Sequence, residues 1–128
     1  MKYSFTLVLL LLFKVTFAFD TIDDVAGFFK AGNVKEIAKY FSSTVELSVL
    51  GQEDIYSASQ SELILKDFFA KHPPVSVKVI HKVTSNPNFK FGVIILNSSK
   101  GNYRISFDLK SANGSFNISQ IKIEENKE

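Results

Sequence analysis

The sequence predicts an α+β domain in which three helices pack on one face of a strongly curved antiparallel sheet. Three observations predict it. Apolar residues recur at helical spacing in three stretches before Pro74, the period changes to two after Pro74, and turn residues divide the second half into successive hairpins.

Each element has its own signal. From Thr21 to Lys30 the residues Ile22, Val25, Ala26, Phe28 and Phe29 form an apolar stripe behind a start capped by Thr21 with Asp23 and Asp24, and Gly32 ends the helix. Asn33 and Glu36 mark a second helix with Val34, Ile37, Ala38 and Phe41 on one face. Val45, Leu47 and Val49 alternate with polar residues as a half-buried strand does, and Gly51 turns the chain into a short partner ending at Tyr56. Ser59 and Glu62 cap a third helix carrying Leu63, Ile64, Leu65, Phe68 and Phe69, which ends at His72-Pro73-Pro74.

Beyond Pro74, Val75, Val77, Val79, His81 and Val83 share one strand face, with Ser76, Lys78, Ile80 and Lys82 on the other. Asn86-Pro87-Asn88 leads to a strand with Phe89, Phe91, Val93 and Ile95 on one face. The next shows Tyr103, Ile105, Phe107 and Leu109, and a hairpin at Ala112-Asn113-Gly114-Ser115 follows. In the last strand Phe116 and Ile118 are out of phase with Ile121 and Ile123, which predicts a β-bulge near Ser119.

Residues 1–18 read as a secretory signal peptide: Lys2 precedes an apolar run from Phe5 to Phe13, and Thr16-Phe17-Ala18 offers small residues for cleavage before Phe19. Lys14 interrupts the run far short of the roughly 20 residues that span a bilayer. Residues 19–128 then form a single domain, exported to a periplasmic or extracellular setting, with no membrane span once the leader is removed. The absence of cysteine removes disulfide staples and lipid attachment at the cleavage site. Of 15 basic residues, Lys2 and Lys14 leave with the leader, so the remaining 13 balance 13 acidic ones. A neutral chain with scattered lysines gives no footprint for nucleic acid.

The stretches Ala31-Gly32-Asn33, Ala38-Lys39-Tyr40-Phe41, Val45-Glu46-Leu47 before Gly51, Tyr56-Ser57, and Ile64-Leu65-Lys66-Asp67-Phe68-Phe69 before Pro73-Pro74 carry a resemblance. They span residues 31–74, and the chain resembles a family of short exported bacterial proteins known as domain of unknown function 4783. The resemblance implies a nuclear-transport-factor-2-like, or cystatin-like, cone: a curved sheet wrapping three helices around an apolar cavity. It carries over no catalytic or ligand residue.

Chemistry must therefore come from the residues. Asp108 and Glu46 alternate with apolar neighbours and fall on the face opposite the apolar row, which argues against carboxylates in the cavity. His81 and Tyr103 lie in register with apolar neighbours, so each is either a ligand or acid–base group or an ordinary packed side chain. His72 and His81 sit on different elements without paired-ligand spacing, so no metal or other cofactor is expected. The glycines are dispersed at turns and form no phosphate loop. Asn97, Asn113 and Asn117 begin Asn-x-Ser sequons, which in a bacterial chain read as chance.

Three functional classes follow. The first is a non-catalytic domain whose apolar cavity binds a hydrophobic small molecule, with His81, Tyr103, Phe91 and Phe107 as the candidate lining, or is filled by its own side chains. The second is an envelope interaction module, because Val93 to Leu96 is apolar on both faces; Ile80, Ile94 and Leu96 would form an outer patch covered by a partner or a homodimer. The third is an acid–base enzyme using His81 with Tyr103, which needs a carboxylate brought to the ring from elsewhere.

Overall fold

The computed structural model describes residues 20–112 and 114–127. The leader, the proposed N-terminus at Phe19 and the Asn113 sequon lie outside these residues. Three helices, α1 (Thr21–Ala31), α2 (Val34–Ala38) and α3 (Ala58–Lys71), pack with six strands: β1 (Phe41–Val49), β2 (Gln52–Ser57), β3 (Pro74–Asn86), β4 (Phe89–Ser98), β5 (Gly101–Ala112) and β6 (Ser115–Glu125). The strands form one curved sheet in the order β2-β1-β6-β5-β4-β3, so the α+β architecture is as expected. One pairing differs. β1 runs parallel to β6, because the alternation from β3 through β6 brings the last strand back in the direction of the first.

The caps show how local chemistry sets the helix ends. Asp20, not Thr21, caps α1: its side chain accepts from the Asp23 amide at 2.9 Å. At the other end Gly32 adopts φ 63°, and the Asn33 amide donates to the Phe28 carbonyl at 2.9 Å. Asn33 caps α2 through the Glu36 amide, while the Glu36 carboxylate turns away to pair with Lys39 at 2.9 Å. Two Ser-x-x-acid/amide patterns overlap before α3, and Ser57 with Gln60 forms the capping box, two residues ahead of Ser59. Phe41 leaves the second helix and opens β1, where it pairs with Ile118.

The core lies between the helices and the inner face of the sheet. Ile22, Val25 and Phe29 from α1, Ile37 from α2 and Leu65 from α3 are fully buried against Val45, Leu47, Ile105, Phe107, Leu109 and Ile121. Each such side chain contributes about 1.5–3 kcal/mol. Gly92 lets α1 approach β4, since a Cβ there would lie 2.9 Å from Ile22 Cγ2 and 3.1 Å from Phe107 Cζ.

The bulge expected near Ser119 is present. Between the pairs Phe107↔Ile121 and Lys110↔Asn117, β6 advances one residue more than β5. Asp108, 3% exposed, takes up the amides that this displaces: Oδ1 accepts from Ser119 N at 2.8 Å and Gln120 N at 3.0 Å, and Oδ2 accepts from Ser119 Oγ at 2.7 Å.

Lys82 on β3 ties the sheet edge to the start of α1, with Nζ 3.2 Å from Asp20 and 2.8 Å from Asp23. Its ammonium is raised above the usual value chiefly by the hydrogen bond to Asp23. Burial alone would raise the Asp20 carboxyl, but the Asp23 amide and Lys82 outweigh it and hold the group below 3.8. A depressed carboxyl stabilises the fold above its unfolded value, and that contribution is lost as pH falls through the folded one. Asp20→Ala should therefore cost about 1 kcal/mol at pH 7 in urea unfolding, and the gap from the parent chain should narrow as pH is taken below 3.8.

Candidate functional site

Strand register decides which side chains can reach the interior. Gly92↔Phe107, Ile94↔Ile105 and Leu96↔Tyr103 are directly opposed on β4 and β5, and all of these residues are buried toward the helices. The alternate pairs Phe91↔Asp108, Val93↔Ser106 and Ile95↔Arg104 occupy the outer face. Two expectations are corrected. Ile94 and Leu96 are fully buried core residues and form no outer patch, while Phe91 lies on the outer face and cannot line an interior cavity. Ile80 sits half-buried where β3 shifts register.

The same shifts move His81. β3 takes two-for-one steps against β4 between Pro74 and Ser76 and again between Val79 and His81, so the row from Val75 to Val83 does not stay on one face. Val77 and Val79 pack on the core, whereas His81 is exposed opposite Val93. Tyr103 and Phe107 are inside, at 6% and 0% exposure. His81 and Tyr103 therefore stand on opposite faces, and no carboxylate among the described residues pairs with His81. The acid–base arrangement suggested by the sequence does not form. Asp108 is engaged by β6, and no group of three His, Asp or Glu side chains that could hold a metal gathers among the described residues.

What fills the interior is a run of rings. Phe107 stacks on Phe29 at 5.9 Å, Phe29 meets Phe69 at 5.9 Å, and Phe69 meets Phe68 edge-on at 5.5 Å. Phe68 then contacts Tyr103 at 5.3 Å and stacks with His72 at 4.4 Å, and His72 meets Tyr103 at 5.0 Å. The ring run starts in the centre of the core and ends at the surface.

It ends in a cleft of about 280 Å³ between the C-terminal half of α3 and the β1–β2 turn, lined by Val49, Leu50, Gln52, Ile64, Asp67, Phe68, Lys71 and His72. The turn is held open by Leu50 at φ 51° and Gly51 at φ 92°, and the Leu50 amide donates to the Ile123 carbonyl at 2.9 Å. Leu50 is 43% exposed at the rim. Asp67 and Lys71 pair at 3.0 Å across one turn of α3, which leaves the rim without net charge. His72 Nδ1 lies 2.9 Å from the Phe68 carbonyl, an acceptor only, so Nδ1 carries the hydrogen. The sequence marked His72 only as a helix end. Its spacing of four from Phe68, just before two prolines, was the signal that the ring would fold back over that residue.

Three depressions are larger: one of about 470 Å³ lies between Val34, Phe69 and Pro74, and two are less selective. One of about 650 Å³ on the outer sheet end mixes Arg104, Lys122 and Lys127 with Glu53, Glu124 and Glu125. The other, about 730 Å³, is a shallow face of α1 with Asp23, Asp24 and Phe28. Beside Phe28 the Tyr40 phenol is pushed up from 10.0 by burial, then by Asp24 and Glu36.

The model of the DUF4783 family, a domain of unknown function, matches residues 22–124. The chain belongs to this family. A DUF4783 protein from Bacteroides uniformis is similar in structure at TM-score 0.80, with 27% identity over 85% of this chain and 100% of that one. A domain of unknown function with a cystatin-like fold from Nostoc punctiforme matches at TM-score 0.65, with 10% identity over 86% and 81% of the two chains. A protein whose name carries the nuclear-transport-factor-2 label matches at TM-score 0.61, with 11% identity over 80% and 91%. No curated protein matches the chain. The fold of this DUF4783 domain is thus nuclear-transport-factor-2-like, and no described helix is long and apolar enough to cross a membrane.

The two sheet faces make opposite demands on substitution in this DUF4783 domain. Gly92→Ala should cost about 1–3 kcal/mol by overpacking against Ile22 and Phe107, and His81→Ala should change stability by less than about 0.5 kcal/mol. Urea unfolding of both variants checks this.

Proposed function

We propose that this chain is an exported, non-catalytic domain that binds a small apolar molecule at the α3 cleft. The observation that carries the reading is the aromatic floor of the cleft, where His72 stacks on Phe68 and abuts Tyr103. Apolar walls from Val49, Leu50 and Ile64 with a few polar groups at the rim are the usual make-up of a small-molecule site. Export is supported by the leader pattern of residues 1–18. The chain, expressed with its leader in a bacterial host, should appear in native mass spectrometry with the mass of residues 19–128 plus an apolar adduct. Ile64→Glu should remove the adduct and leave a folded protein. An adduct that persists in Ile64→Glu would place the ligand elsewhere.

A second reading concerns partners. Phe91 and Ile95 are half-buried and Val83 is 47% exposed on the outer face, around Val93, which is itself buried at 4% exposure. A two-fold pair packed sheet to sheet would cover this face. Sedimentation should then show a dimer that Ile95→Lys converts to a folded monomer; an unchanged mass would remove this reading.

A further inference from the structure

We infer that the α3 cleft selects ligands that present a hydrogen-bond donor beside an aromatic or similarly flat apolar body, an inference that rests on the binding reading above. Because the Phe68 carbonyl can only accept, the bond of 2.9 Å places a hydrogen on Nδ1 of His72, so that in an uncharged imidazole Nε2 is the nitrogen that accepts. Nε2 makes no hydrogen bond to the described residues and is not among their buried, unpartnered polar atoms, so it is not sealed from solvent, and His72 lines the cleft. The ring cannot turn over to offer its other nitrogen without breaking the Phe68 bond.

The remaining polar groups support the same choice. Lys71 and Asp67 neutralise one another at 3.0 Å, so the rim favours neither an anion nor a cation. An acceptor fixed on a flat aromatic floor matches a hydroxyl or N–H attached to a ring, and a cleft of about 280 Å³ has room for one ring or a short fused pair.

Phenol and toluene, nearly equal in shape and different in donor, test this by amide-shift titration of the intact protein. Phenol should bind about fivefold or more tightly than toluene, the worth of one net hydrogen bond, and shifts for both should cluster at Leu50, Ile64 and Lys71. His72→Asn should lose the preference, since its amide nitrogen can replace Nδ1 as donor to Phe68 but nothing stands at the Nε2 position. His72→Phe, which keeps the ring, is a second variant and should do the same. Equal affinities in the parent chain, or a preference that survives in both variants, would overturn the donor selectivity while leaving apolar binding intact. No shifts at the cleft with either compound would overturn the binding reading itself, and the selectivity with it.

Discussion

The carboxylate of Asp108 allows one strand to serve two halves of the core. Ile118 and Ile121 are an odd number of residues apart and in a regular strand would face opposite ways, yet both are fully buried. The extra residue in β6 restores them to one side, at the cost of amides that lose their ladder partners. A buried amide without a partner costs about 1–3 kcal/mol. Asp108 meets two amides and a hydroxyl from the adjacent strand, so the irregularity is held in place. Once past it, the Ile118 amide reaches the Tyr40 carbonyl at 2.7 Å and joins β6 to the chain entering β1.

The curvature that follows leaves a concave face deep enough for helices, and the sequence fills it with rings. Gly92 admits α1, Phe29 then reaches Phe107, and the contacts pass through Phe69 and Phe68 to His72 at the edge. The centre of the cone is thus packed, and room for a ligand is left at its rim, where α3 ends and the β1–β2 turn bends away. Because His72 caps α3, the helix terminus and the cleft share one acceptor: the Phe68 carbonyl accepts from the His72 backbone N–H at 2.8 Å and from Nδ1 of its ring at 2.9 Å. A ligand there would contact the last turn of a helix whose inner face is anchored by Leu65, Phe68 and Phe69.

Local chemistry was legible in the sequence where one signal had one reading. Gly32 ended the first helix, the prolines after His72 ended the third, and the phase change at Ser119 announced the bulge. Where two readings competed, the outcome was set by contacts distant in sequence. β4 is apolar on both faces, and the row containing Ile94 and Leu96 faces inward, where Gly92 in the same row leaves room for Ile22 of α1. The register shifts of β3 leave no mark in a stretch where valine recurs every second residue up to Val79 and again at Val83, so His81 read as interior. The parallel joining of β1 to β6 spans most of the chain and has no local signal at all. The cleft was missed for the same reason: Leu50, Ile64 and His72 come together only after the hairpin and α3 have docked.

Amide hydrogen exchange at Ser119 and Gln120 tests the role of Asp108 most directly. Both amides should exchange as slowly as the ladder amides of Ile121 and Ile123 in the parent chain, and both should become fast in Asp108→Ala while β3 and β4 remain protected. Fast exchange at Ser119 and Gln120 in the parent chain would contradict the account, because the bulge would then be held by something other than the Asp108 carboxylate.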